Sequence, residues 1–162
     1  MPPTENPASA RPVCNAAWRD PGLLLILFVS AWGVVWHATR PLEAVMSGPF
    51  LLRGAGALAW HTFWLLLQLA VFTTLWLRRP QAYRLLLGWQ ALALVLSWWN
   101  FSGFLFFHDA ALPLHERLAG HALDLGTTSG VLMLKTAGIT LMATLVTLYA
   151  WRRRPWFGIS AG

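Results

Sequence analysis

The sequence predicts an all-α protein: an antiparallel bundle of four transmembrane helices, with a short amphipathic helix between the third and the fourth. Three observations predict it. Of the 162 residues, 57% are hydrophobic and only 11% are charged, whereas a soluble domain carries roughly 25% charged residues. That is too little charge to coat a water-facing globule, and it argues against a soluble enzyme, a disordered chain or a disulfide scaffold. Four apolar stretches reach the roughly 20 residues that a helix needs to cross about 30 Å of hydrocarbon. Finally, the arginines gather at alternate ends of those stretches, as the positive-inside rule requires of a multi-pass chain.

Residues 1–19 are rich in Pro, Ala and Asn and have few apolar anchors, which predicts a flexible cytoplasmic tail. The tail holds Cys14, the one cysteine of the chain, so no disulfide forms within the chain and no thiol pair can bind a metal. The first helix spans about 22–39 and has no formally charged residue. It is not a signal peptide, because Val35, Trp36 and His37 stand where a cleavage site needs small residues. The second helix spans about 57–77 and contains His61 and Gln68; the third spans about 85–107 and contains Gln90 and Asn100. Between 112 and 125, Leu114, Leu118, Ala122 and Leu125 recur at helical spacing while Arg117, His121 and Asp124 share another face. That pattern predicts the short amphipathic helix, lying on the outer surface. The fourth helix spans about 129–151 and contains Lys135. Each run is read as a helix because lipid offers unpaired backbone groups no partner. One domain, 20–156, is expected, followed by a second cytoplasmic tail, 157–162.

The two halves echo each other. Leu75-Trp76-Leu77-Arg78-Arg79-Pro80 closes the second helix, and Leu148-Tyr149-Ala150-Trp151 followed by Arg152-Arg153-Arg154-Pro155 closes the fourth. Two tandem hairpins of one orientation would give this pattern.

Eight of the 12 basic residues flank one side: Arg11, Arg19, Arg78, Arg79, Arg84, Arg152, Arg153 and Arg154. Both termini are therefore expected in the cytoplasm, in the inner membrane of a bacterium, with the other two connections in the periplasm. The net charge of +6 is then a topology signal. Three short flanking clusters do not make the basic face that nucleic acid needs. The expected partners are the lipid bilayer and another membrane protein or a second copy, not nucleic acid.

All five histidines fall in the outer half. His61, Asn100 and Lys135 come from three helices at similar depth, and His37 and His108 sit just above them. Polar groups inside a bilayer face the bundle interior or a water-filled cavity, which predicts a polar pocket on the outer side. Trp32, Trp64 and Trp98 lie deeper than the interfacial aromatic belt and would give that pocket aromatic walls, suited to a flat apolar ligand. Lys135 has two other expected fates: snorkelling along its stem, or pairing with Asp109, Glu116 or Asp124. Gln68 and Gln90 read as interhelical hydrogen-bonding groups.

A weaker constellation, His108, Asp109, His115, Glu116, His121 and Asp124, offers nitrogen and oxygen donors to a divalent metal, although no H-E-x-x-H or H-x3-H spacing occurs in it. Haem would need axial histidines from two helices at one depth, for which His37, His61 and His108 are the candidates. No nucleotide loop, Ser-His-Asp signature or Gly-rich phosphate cradle appears, so no residue is nominated as catalytic. The leading expectation is a small, non-enzymatic accessory subunit or binding protein of the inner membrane, working through its outer half. The alternative is a haem-, quinone- or metal-handling redox protein using the outer histidines, and the third reading is an oligomeric transporter.

Overall fold

The computed structural model describes residues 20–157; the expected tails, residues 1–19 with Cys14 and all but one residue of 157–162, lie outside the described residues. The elements run α1 (Pro21–Thr39), β1 (Val45–Ser47), β2 (Phe50–Leu52), α2 (Ala55–Trp76), α3 (Gln81–Phe106), α4 (His108–Ala119) and α5 (Leu125–Arg152), ending in a single 3-10 turn at Arg154–Phe157. Four helices, α1, α2, α3 and α5, are long and apolar enough to cross a membrane. That is the make-up of a multi-pass membrane protein.

Helices α3 and α5 begin earlier than the apolar runs do, at Gln81 and Leu125; for α5 the cause is a cap, because a helix starts where its first amides are satisfied and not where hydropathy rises. The Asp124 carboxylate accepts the Thr127 N–H at 2.8 Å, so the polar turn Gly126-Thr127-Thr128 joins α5. The short helix is displaced from the expected 112–125 to His108–Ala119. Gly120, with φ +75°, ends it in the left-handed conformation that glycine adopts without Cβ strain. His121 and Asp124 therefore lie beyond this helix, not on the polar face expected for them.

Helix α1 packs along α2, α3 along α5, and α2 along α3. The apolar core gathers at the end of the molecule that carries Arg78, Arg79, Arg84 and Arg152–154, here the arginine end. It comprises Leu23, Ile26, Leu27, Val71, Leu75, Ala82, Leu86, Ala150 and Phe157, with Trp64 and Trp89 toward the middle. A clamp joins α1 to α5 there. Asp20 caps α1 by accepting from the Gly22 N–H at 3.0 Å and pairs with Arg153 at 3.0 Å. The Tyr149 ring lies against Gly22. Burial pushes the Asp20 carboxyl up, but the Tyr149 hydroxyl, the amides of Gly22 and Leu23 and the Arg153 guanidinium outweigh it and hold it below the usual carboxylate range.

The opposite end, here the histidine end, holds a hairpin that the apolar runs do not predict. β1 and β2 pair antiparallel, Val45 opposite Leu52 and Ser47 opposite Phe50, around a Gly48-Pro49 turn. Three-residue strands are too short to show alternation, and the Gly-Pro dipeptide was the available signal. Gly48 has φ +60° and donates its N–H to Asn100 Oδ1. A Cβ on Gly103 would lie 2.8 Å from Gly48 Cα, so glycine is required on α3 for the hairpin to seat. Along the α1–α2 seam, a Cβ on Gly33 would overlap the Gln68 amide.

Gly103→Val should lift the hairpin off α3 at a cost of about 1–3 kcal/mol, read as a lower Tm in detergent with faster proteolysis near Arg53. Gly88→Ala, which meets nothing within 4 Å, should be neutral or stabilising by about 0.5–1 kcal/mol. Because the Asp20 carboxyl is held below its unfolded value of about 4, its contribution is complete above that pH and is lost as pH falls through the folded value. Asp20→Asn should therefore flatten the acid limb of a Tm–pH profile.

Candidate functional site

A cavity of about 670 Å³ opens at the histidine end. Trp36 and His37 line it from α1; Trp60, His61, Trp64 and Gln68 from α2; and residues between Trp89 and Phe101 from α3. His115 and Leu118 of α4, the run from Val131 to Ile139 on α5, and the chain from Glu43 to Gly48 complete it.

Two histidines bind α1 to α2 beside the cavity. His37 Nδ1 lies 2.9 Å from His61 Nδ1, and His61 Nε2 lies 3.0 Å from the Glu43 carbonyl oxygen. A carbonyl only accepts, so His61 Nε2 carries the hydrogen and donates it. With His61 neutral, its Nδ1 is then the acceptor, and His37 Nδ1–H donates to it. The result is one directed chain from α1 through α2 to the segment before the hairpin. The His37 ring stacks on Trp64, centroids 6.3 Å apart and planes at 12°, and Trp60 meets Trp64 edge-on.

This geometry also tests the pair as metal or haem ligands. Axial ligands on opposite sides of one haem iron, at about 2 Å each, would stand about 4 Å apart, whereas the two Nδ1 atoms stand 2.9 Å apart in direct hydrogen-bonding contact. Among the described residues no three of His, Cys, Asp and Glu converge on a metal-sized point. The six residues of the weaker metal set are dispersed over local contacts. His108 meets Asp109 at 3.2 Å at the surface, Glu116 accepts the Leu123 N–H at 3.1 Å, His121 Nδ1 donates to the Ala119 carbonyl, and Asp124 caps α5. His115 alone of the six reaches the cavity, with its ring edge-on to Phe104.

Of the eight pocket candidates, His37, His61, Trp64, Asn100 and Lys135 line the cavity. His108 does not; it lies at the start of α4, with Nδ1 toward the Leu105 carbonyl. Trp32 and Trp98 are exposed on the flanks of the helices, where their indoles face outward. Sequence reasoning missed the hairpin side, which had no recognised element, and the part of Trp89, whose place in the chain read as the aromatic belt of the arginine end. It treated Gln68 as a hydrogen-bonding group between helices. Gln68 is only 7% exposed, yet its Oε1 has no hydrogen-bond partner among the described residues.

Lys135 lies ten residues past the start of α5, about 15 Å along it at 1.5 Å per residue. None of the acids expected to pair with it does so. Asp109, Glu116 and Asp124 are engaged as above, and the Glu43 carboxylate pairs with Arg40 at 3.1 Å. Burial and the nearby Lys135 ammonium hold the His115 imidazole below its usual value. Ser97 Oγ donates to Thr136 Oγ1 at 3.2 Å, tying α3 to α5 along the cavity wall.

Comparison of the chain with protein-family models, with curated proteins and with solved structures returns no significant match.

Lys135→Gln should move the His115 titration upward while leaving it below the ordinary imidazole value, because burial persists; histidine NMR across pH 4–8 reads this directly. His61→Ala should strand both His37 and the Glu43 carbonyl and cost about 1–3 kcal/mol, measured as thermal stability in detergent.

Proposed function

We propose that this chain is a small, non-enzymatic protein of a bacterial inner membrane, with both termini cytoplasmic, that binds a small molecule in the cavity at its histidine end. The orientation rests on the charges: the arginine end carries the clusters that the positive-inside rule keeps in the cytoplasm, so the cavity faces the periplasmic side. Binding rests on one observation above the others, a cavity on which polar and aromatic side chains of several elements converge, among them Trp60, Trp64, Asn100, His115 and Lys135. The volume of about 670 Å³ falls within the roughly 300–1,000 Å³ of small-molecule sites. Trp60, Trp64 and Trp89 supply apolar, aromatic walls. The direct His37–His61 hydrogen bond favours a structural role for that pair over axial ligation of a haem from opposite sides. As an accessory subunit the chain would pass its ligand to, or hold it for, another membrane protein or a second copy.

The protein extracted gently from its own membranes should carry a non-covalent adduct of a few hundred daltons in native mass spectrometry, and Ala93→Trp, which fills the cavity, should lose it. Absence of the adduct from the wild-type protein, or its persistence in A93W, contradicts binding in this cavity. Gln68→Leu should raise the Tm by removing the unmet acceptor, worth about 1–3 kcal/mol, without abolishing the adduct.

A further inference from the structure

The wall between α1 and α5 is incomplete. The two helices meet at the arginine end, where Tyr149 lies against Gly22 and Arg153 pairs with Asp20. Neither α1 nor α2 makes an extensive contact with α5 elsewhere. The helices therefore form a wedge, closed at one end and open at the other. Trp36 on α1 and Val131 on α5 both line the cavity, yet they are 41% and 61% exposed. They mark the two lips of an opening between α1 and α5.

Charge selects what enters. Lys135 stands in a membrane-spanning helix, lines the cavity, and has no ion pair among the described residues. A cation inside a bilayer is costly unless it is paired or hydrated. The acids at this end are engaged elsewhere: Glu43 with Arg40, Asp109 with His108, Glu116 with the Leu123 amide and Asp124 with the Thr127 amide. Among the described residues no carboxylate pairs with Lys135, and His115 beside it adds a further nitrogen facing the same space. Below and beside the ammonium, Leu96, Leu132 and Ile139 offer apolar walls.

From this we infer that the cavity takes a single-chain amphiphilic anion drawn from the bilayer, with its acidic head at Lys135 and its chain along the opening between α1 and α5. The inference rests on the binding reading above and names its ligand class. A neutral lipid would leave Lys135 uncompensated, and a small hydrophilic anion would leave the apolar walls wet.

Oleate binding to the full chain in phosphatidylcholine nanodiscs tests it, with oleyl alcohol and acetate as controls. Oleate should bind at least tenfold more tightly than oleyl alcohol, and acetate should not displace it. Lys135→Gln should cost at least tenfold in oleate affinity, while Lys135→Arg, which keeps the charge, should stay within about threefold of the wild type. Equal affinity for oleate and oleyl alcohol, or equal affinity of the wild type and K135Q, overturns the anion assignment. Displacement of oleate by acetate at comparable concentration overturns lateral entry of an amphiphile. If oleyl alcohol binds tightly and A93W abolishes that binding, the anion assignment fails while the cavity remains a binding site. If no probe binds, the lipid assignment fails, and the adduct from native membranes alone decides whether the cavity binds anything.

Discussion

A polar side chain within hydrocarbon must find a partner on another element or face a cavity, because lipid supplies neither donor nor acceptor. The architecture of the histidine end follows from that constraint. His37 donates to His61 and His61 to the Glu43 carbonyl, which joins α1, α2 and the segment before the hairpin. Asn100 accepts the Gly48 amide, which joins the hairpin to α3. Ser97 and Thr136 join α3 to α5. Each bond ties two elements that apolar packing alone would leave free to slide.

The arginine end is built by other means. There Leu23, Ile26, Val71, Leu75, Leu86, Ala150 and Phe157 pack into a continuous core, and the Asp20–Arg153–Tyr149 clamp closes it at the surface. A closed apolar end and an open polar end make a wedge. Among the described residues the Lys135 ammonium, which lines the cavity, has no ion pair. Filling a packing defect needs only apolar volume, whereas this space also offers a positive charge.

Much of this was legible in the chain. The four spans follow from the length of apolar runs, and the convergence of His61, Asn100 and Lys135 from the rule that intramembrane polar groups turn inward. The errors have physical causes. Hydropathy does not see helix caps, so α5 begins earlier than expected, at a polar turn set by Asp124. Spacing alone does not tell which face of a helix looks inward, so Trp32 and Trp98 were assigned to a pocket from which they point away. The weaker metal set grouped residues by nearness in sequence, while capping and turn contacts disperse them. The Gly48-Pro49 hairpin was missed because its strands are shorter than any periodicity can register. The unmet Gln68 oxygen had no sequence signal at all, since an absent partner exists only in three dimensions.

The central claim is that Lys135, although it lies about 15 Å along a membrane-spanning helix, lines a cavity reached from the side opposite the arginines. Reactivity of the Lys135→Cys variant in a Cys14→Ser background with a membrane-impermeant thiol reagent measures this directly. In sealed, right-side-out spheroplasts the account predicts labelling from the outside without permeabilisation. Labelling that appears only after the membrane is opened, or no labelling at all, would contradict it.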